Sequence, residues 1–126
     1  FTDGEADMVM SYTTSPAYHI IAEDDRTRKA AIFPEGHYFM VELAAKLANT
    51  DQPELADAFM EFLLSEPFQE MIATGNWSIP AALPRDRWPE GFRELDLPEK
   101  VLFYTEDEAA ELRDTAIDAW RRALSR

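Results

Sequence analysis

Cysteine is absent from the 126 residues, which removes disulfides and thiolate metal sites from consideration. Histidine is nearly absent: His19 and His37 form no His-x-x-x-His pair, and the four glycines form no Gly-rich phosphate loop. Positive charge is scarce as well, with 12 Lys and Arg against 25 Asp and Glu and a formal net charge of −13. Nucleic acid is thereby excluded as a partner, because phosphate backbones are held by clustered basic side chains. Long apolar runs are missing too. The best candidates are interrupted by Glu42 and Lys46 or by Glu61 and Ser65, so none reaches the roughly 18 residues of a membrane span. A hydrolytic triad would have to draw on Ser11 or Ser15 with His19 and Asp24, yet no Gly-x-Ser-x-Gly elbow frames either serine. The chain is therefore expected not to be an enzyme and to hold neither cofactor nor metal.

What is present is enough apolar material for a packed core: 46% of the residues are hydrophobic and 12% aromatic. The chain opens on Phe1-Thr2-Asp3-Gly4 and meets the apolar Met8-Val9-Met10 at once, which reads as a sequence entered in mid-domain. Residues 6–11 predict a strand, and Ser15-Pro16 supplies an N-cap and a first-turn proline for a helix through about Glu23. Ala30 to Phe33 predicts a second strand, Pro34-Glu35-Gly36 a turn, and His37 to Leu43 a further extended segment.

Asp51-Gln52-Pro53-Glu54 begins a helix whose Leu55, Ala56, Phe59, Met60, Phe62 and Leu63 share helical spacing and predict a buried face. Ser65-Glu66-Pro67 caps another helix, with Gly75 placed to take the left-handed position at its end. Four prolines from Pro80 to Pro98 mark a long irregular connection, with one turn of helix between Trp88 and Leu95. Thr105-Glu106-Asp107-Glu108 is a capping box, followed by a stripe of Ala109, Leu112, Ala116, Trp120 and Ala123. Alternating strands and helices indicate an α/β fold.

Three aromatic residues stand at element ends. Tyr12 and Tyr18 flank the Thr13-Thr14-Ser15-Pro16 turn, and Trp77 follows Gly75-Asn76 at a helix exit. Taken singly, each ring is more often core than site. Together, in an acidic chain without catalytic motifs, they suggest a stacking box for a flat or cationic ligand.

The segment Met8-Val9-Met10-Ser11-Tyr12-Thr13-Thr14-Ser15-Pro16-Ala17-Tyr18-His19 closely resembles the thiamine-binding periplasmic proteins of bacterial ABC importers. Further matches follow in the same order: Glu35-Gly36-His37-Tyr38 with Val41-Glu42, Gln52-Pro53-Glu54-Leu55-Ala56, Phe68-Gln69, Thr74-Gly75-Asn76-Trp77 with Pro80, and Trp120-Arg121-Arg122-Ala123. Met71-Ile72-Ala73 and Ser78-Ile79 depart from the family's pattern and bear on local loop shape.

The resemblance implies a two-lobed type II periplasmic solute-binding fold with its N-terminal portion missing. Residues 1–29 would belong to the second lobe, 30–76 to the first and 77–126 to the second again. It further implies a periplasmic receptor that binds thiamine, or its phosphates, and delivers it to a membrane permease. Tyr12, Tyr18 and Trp77 would line the ligand site, with Ser11, Thr13, Ser15 and Asn76 as hydrogen-bonding neighbours. A fragment of that fold is expected to pair with the missing part or with a second copy. Other readings are a sister receptor for another cation or for ferric iron, and a stand-alone helical interaction module built on Phe59, Phe62 and Phe68.

Overall fold

Proline opens three of the helices in the computed structural model, which describes residues 1–125. Helices α1 (Ser15–Glu23), α2 (Pro53–Leu63) and α3 (Glu66–Gly75) each carry one within their first two positions. There the fixed φ suits the helix and the missing N–H has no partner to lose. The short α4 (Glu90–Arg93) follows Pro89, and α5 (Glu106–Leu124) follows the capping box at Thr105. Two strands, β1 (His37–Tyr38) and β2 (Val101–Leu102), pair in parallel with His37 opposite Val101.

The expected strands at residues 6–11 and 30–33 do not form, and only two residues of the segment from His37 to Leu43 are in a strand. A strand is completed by a neighbour that accepts its ladder of hydrogen bonds. Among the described residues only β2 fills that role, so the other segments run extended but unpaired. β2 itself escapes sequence reading because it is two residues long, directly after the proline-rich connection. Two caps also differ from expectation. Thr14, not Ser15, is the N-cap of α1, and it makes no side-chain cap bond; the Ser15 hydroxyl is engaged by Ser11, 2.6 Å away. At the end of α3, Gly75 remains within the helix and Trp77 takes the left-handed backbone, with φ of 52°.

The chain forms two compact units. The first comprises Phe1–Phe33 and Glu42–Leu97. Its core joins Ala17 of α1, Ala73 of α3, Phe92 of α4 and Leu95, flanked by the half-buried Trp77, Trp88 and Leu97. Gly91 permits this packing: a Cβ there would stand 2.8 Å from Ile21 Cγ1 and 3.2 Å from the Ala17 carbonyl oxygen. The loop entering α4 is fixed by polar bonds, with Trp88 Nε1 donating to the Leu83 carbonyl at 2.8 Å and Arg85 Nη2 to those of Arg93 and Leu95 at 3.1 and 3.0 Å. Arg87 pairs with both Glu66 and Glu70 of α3.

The second unit comprises Pro34–Val41 and Pro98–Arg126. Gly36, with φ of 114°, completes the turn that leads into β1, and Tyr38 stacks on Tyr104 with ring centroids 5.8 Å apart. These two rings and Ala109, Leu112, Ala116 and Ile117 of α5 line an open groove of about 350 Å³.

Much of the apolar surface is uncovered. Neither α2 nor α5 has a buried residue, contrary to the buried face expected of α2, and Phe59 is 55% exposed. The accessible surface of the chain is 10277 Å², about half as much again as the roughly 6,800 Å² expected of a folded monomer of 14.4 kDa.

Candidate functional site

The backbone outlier at Trp77 is the starting point. A non-glycine residue in the left-handed region is uncommon, and for a bulky side chain it is strained by about 1–3 kcal/mol. Such strain persists only where surrounding contacts over-determine it. At Trp77 those contacts come from the rings of Phe92 and Tyr18 and from bonds between its two chain neighbours, Asn76 and Ser78.

The indole lies nearly parallel to the buried Phe92 ring, with centroids 6.4 Å apart and planes 14° apart. Tyr18 of α1 meets it edge-on, with centroids 5.0 Å apart at 78°. Tyr18 in turn meets His19 edge-on at 5.4 Å. Trp77 is half-buried and Tyr18 is 41% exposed, so this aromatic corner is anchored in the core on one side and reaches solvent on the other. Edge-to-face and offset arrangements of this kind are the favoured ones for aromatic pairs.

The segment Ser11–Ser15 leads to the corner. Ser15 N donates to the Tyr12 carbonyl at 3.0 Å, closing the turn before α1, and the two serine hydroxyls share a 2.6 Å bond. Thr13 is half-buried in that turn, whereas the Tyr12 side chain stands 67% exposed. The structure therefore brings Tyr18 and Trp77 into contact and ties Ser11 to Ser15, while Tyr12 stands in solvent. The hydrolytic arrangement of these serines with His19 and Asp24 is not assembled. The imidazole Nδ1 lies 2.8 Å from Glu23 Oε2 and 3.0 Å from Arg28 Nη1, and Asp24 bonds Arg26. Beside them, the Thr27 hydroxyl and then its backbone N–H hold the Asp25 carboxyl below the ordinary aspartate range.

Asn76 faces an acid. Its Nδ2 donates to both carboxylate oxygens of Glu42 at 3.0 Å and lies 3.2 Å from Ser78 Oγ. The Ser78 hydroxyl donates to the Asn76 carbonyl, also at 3.2 Å. Phe92 and Glu42 are the residues of this region that sequence reading misses as site components. Phe92 lies on a helix too short to show periodicity, and Glu42 is 34 residues from its partner; only the motif match at Val41-Glu42 drew attention to that position.

No family model matches the chain. It is 48% identical over all 126 residues to the thiamine-binding periplasmic protein of Escherichia coli and 41% identical over the same length to that of Brucella melitensis. Against the protein of the same name from Haemophilus influenzae it is 48% identical over 80 residues. A solved structure of a periplasmic thiamin binding protein superposes with a TM-score of 0.81 at 48% identity, covering 100% of this chain and 39% of the other. The chain spans 38% of the length of the first two relatives.

Proposed function

We propose that this chain, which is homologous over its whole length to the thiamine-binding periplasmic proteins, is a portion of a periplasmic receptor that captures thiamine and hands it to the membrane permease of an ABC importer. The observation that carries the reading is the Tyr18–Trp77 corner, found where two of the sequence motifs shared with that family meet in space.

Physical chemistry suits the corner to this ligand. An aminopyrimidine ring stacks on π faces, and a permanently charged thiazolium gains roughly 0.5–2 kcal/mol from a well-placed aromatic ring. Tyr12, exposed on the turn before α1, is the third ring of the site once ligand and the rest of the receptor are present. Ser11, Thr13, Ser15 and Asn76 supply hydrogen bonds to the aminopyrimidine or to a phosphate of thiamine monophosphate or diphosphate. The receptor binds and releases its ligand without chemical change. Its fold is the two-lobed type II arrangement. The uncovered surface described above supports the view that further chain completes it.

Trp77→Ala in the full-length protein tests the reading. Thiamine affinity measured by calorimetry is expected to fall by roughly 1–3 kcal/mol, the scale of a lost aromatic anchor. Because the indole also covers Phe92, the melting temperature of the empty protein falls as well. Unchanged affinity in a variant of lowered stability would leave Trp77 a core residue and sink the reading.

A further inference from the structure

We infer that Glu42 is a positioning residue for thiamine, acting through Asn76 to hold Trp77 in its left-handed backbone conformation; the inference rests on the proposed role of Trp77. Only the amide nitrogen of Asn76 can face a carboxylate, since the amide oxygen would repel it. That nitrogen lies 3.0 Å from each Glu42 oxygen, in a charge-assisted contact stronger than a neutral one. The same nitrogen reaches Ser78 Oγ, and the Ser78 hydroxyl donates back to the Asn76 carbonyl, both at 3.2 Å. Residues 76 and 78 are thus bridged across Trp77, the residue whose φ is 52°. The Asn76 N–H is itself fixed to the Ile72 carbonyl at 3.0 Å as the C-cap of α3.

Glu42 enters from a part of the chain 34 residues away and is the external anchor of an otherwise local loop. Without it the Asn76 amide is free to rotate, the Ser78 bridge loosens, and Trp77 can relax to an ordinary backbone conformation that swings the indole off Phe92 and Tyr18. Affinity then drops because the ring must be reordered on binding, although no atom that touches the ligand has changed.

A double-mutant cycle in the full-length protein, read by thiamine titration with the melting temperature of the empty protein alongside, tests this. Glu42→Ala is expected to weaken thiamine about tenfold, whereas Glu42→Gln, whose carbonyl still accepts a bond from Asn76, stays within about threefold. In a Trp77→Ala background Glu42→Ala is expected to have almost no further effect. Equal losses for Glu42→Ala and Glu42→Gln, or a full tenfold loss persisting in the Trp77→Ala background, would make Glu42 a direct or merely structural contributor and overturn the inference. So would an unaffected Glu42→Ala in a protein whose Trp77→Ala variant is weakened. Failure of the underlying reading is distinct: there Trp77→Ala alone leaves thiamine affinity unchanged.

Discussion

Gln69 is a long polar side chain on α3, only 5% exposed, and both ends of its amide are used. Nε2 donates to the Leu63 carbonyl at the end of α2 at 2.7 Å, and Oε1 accepts from Ala82 N at 2.9 Å. One side chain therefore ties the α2–α3 junction to the proline-rich connection. Gln69→Leu keeps the volume but leaves a carbonyl and an N–H without these partners, at a cost of about 1–3 kcal/mol. Urea unfolding of the full-length protein is expected to show that loss; a change below about 0.5 kcal/mol, within the scatter of surface substitutions, would mean that water replaces both bonds. Trp77 is the other residue whose role depends on its surroundings. Its strain is supported from the Asn76–Ser78 bridge and by the Phe92 stack, so it belongs to the core and to the candidate site at once.

Among the elements, α5 is the one whose start is specified most completely by its own residues. Thr105 Oγ1 accepts from the Glu108 N–H at 3.3 Å, and the Glu108 carboxylate accepts from the Thr105 N–H at 2.9 Å and from its hydroxyl at 2.8 Å. The backbone bond first and the hydroxyl second hold the Glu108 carboxyl below the ordinary glutamate range. A carboxyl whose value is lower in the folded state contributes stability that is fully present above its unfolded value and is lost as pH falls through the depressed folded one. An NMR titration is expected to place the Glu108 midpoint below the ordinary value of about 4.3. Thr105→Ala, which removes the hydroxyl but keeps the backbone N–H, should raise it part of the way back and reduce the stability of the helix by about 0.5–2 kcal/mol. A Glu108 midpoint identical in the two proteins would mean that the box is not formed in solution. Helix α1 shows the limit of such reasoning: its proline was legible, but its cap was not, because the Ser15 hydroxyl is bonded to Ser11 rather than to the helix.

For the whole molecule the governing quantity is surface. An accessible area about half as large again as that of a compact monomer leaves Phe59, Phe62, Leu64 and Trp120 in water, each about half or more exposed. Apolar surface on this scale drives association. The isolated 126-residue chain is therefore expected to self-associate, or to melt without cooperativity, and, under the proposed function, to bind thiamine at least a hundredfold more weakly than the full-length protein, a deficit of about 2.7 kcal/mol. Sedimentation and a thiamine titration check this together. A compact, cooperatively melting monomer with full-length affinity would show that the chain needs no further cover.

Local chemistry made the helices legible in the sequence. Prolines at their starts, the Thr105 box and apolar spacing act within a few residues, so α1, α2, α3 and α5 were readable, as was a short helical turn near Trp88. Motifs singled out Tyr12, Tyr18 and Trp77 from their neighbours in the chain, and of these the fold brings Tyr18 and Trp77 into contact. Tertiary structure decided what local chemistry cannot encode. Strands need a partner, so of the extended segments only His37–Tyr38 became one, and its mate at Val101–Leu102 was invisible until paired. The left-handed position went to Trp77 rather than Gly75, because contacts from Phe92 and Asn76 outweigh the intrinsic preference of glycine. Glu42 joined the site only in three dimensions, where 34 residues of sequence separation become 3.0 Å.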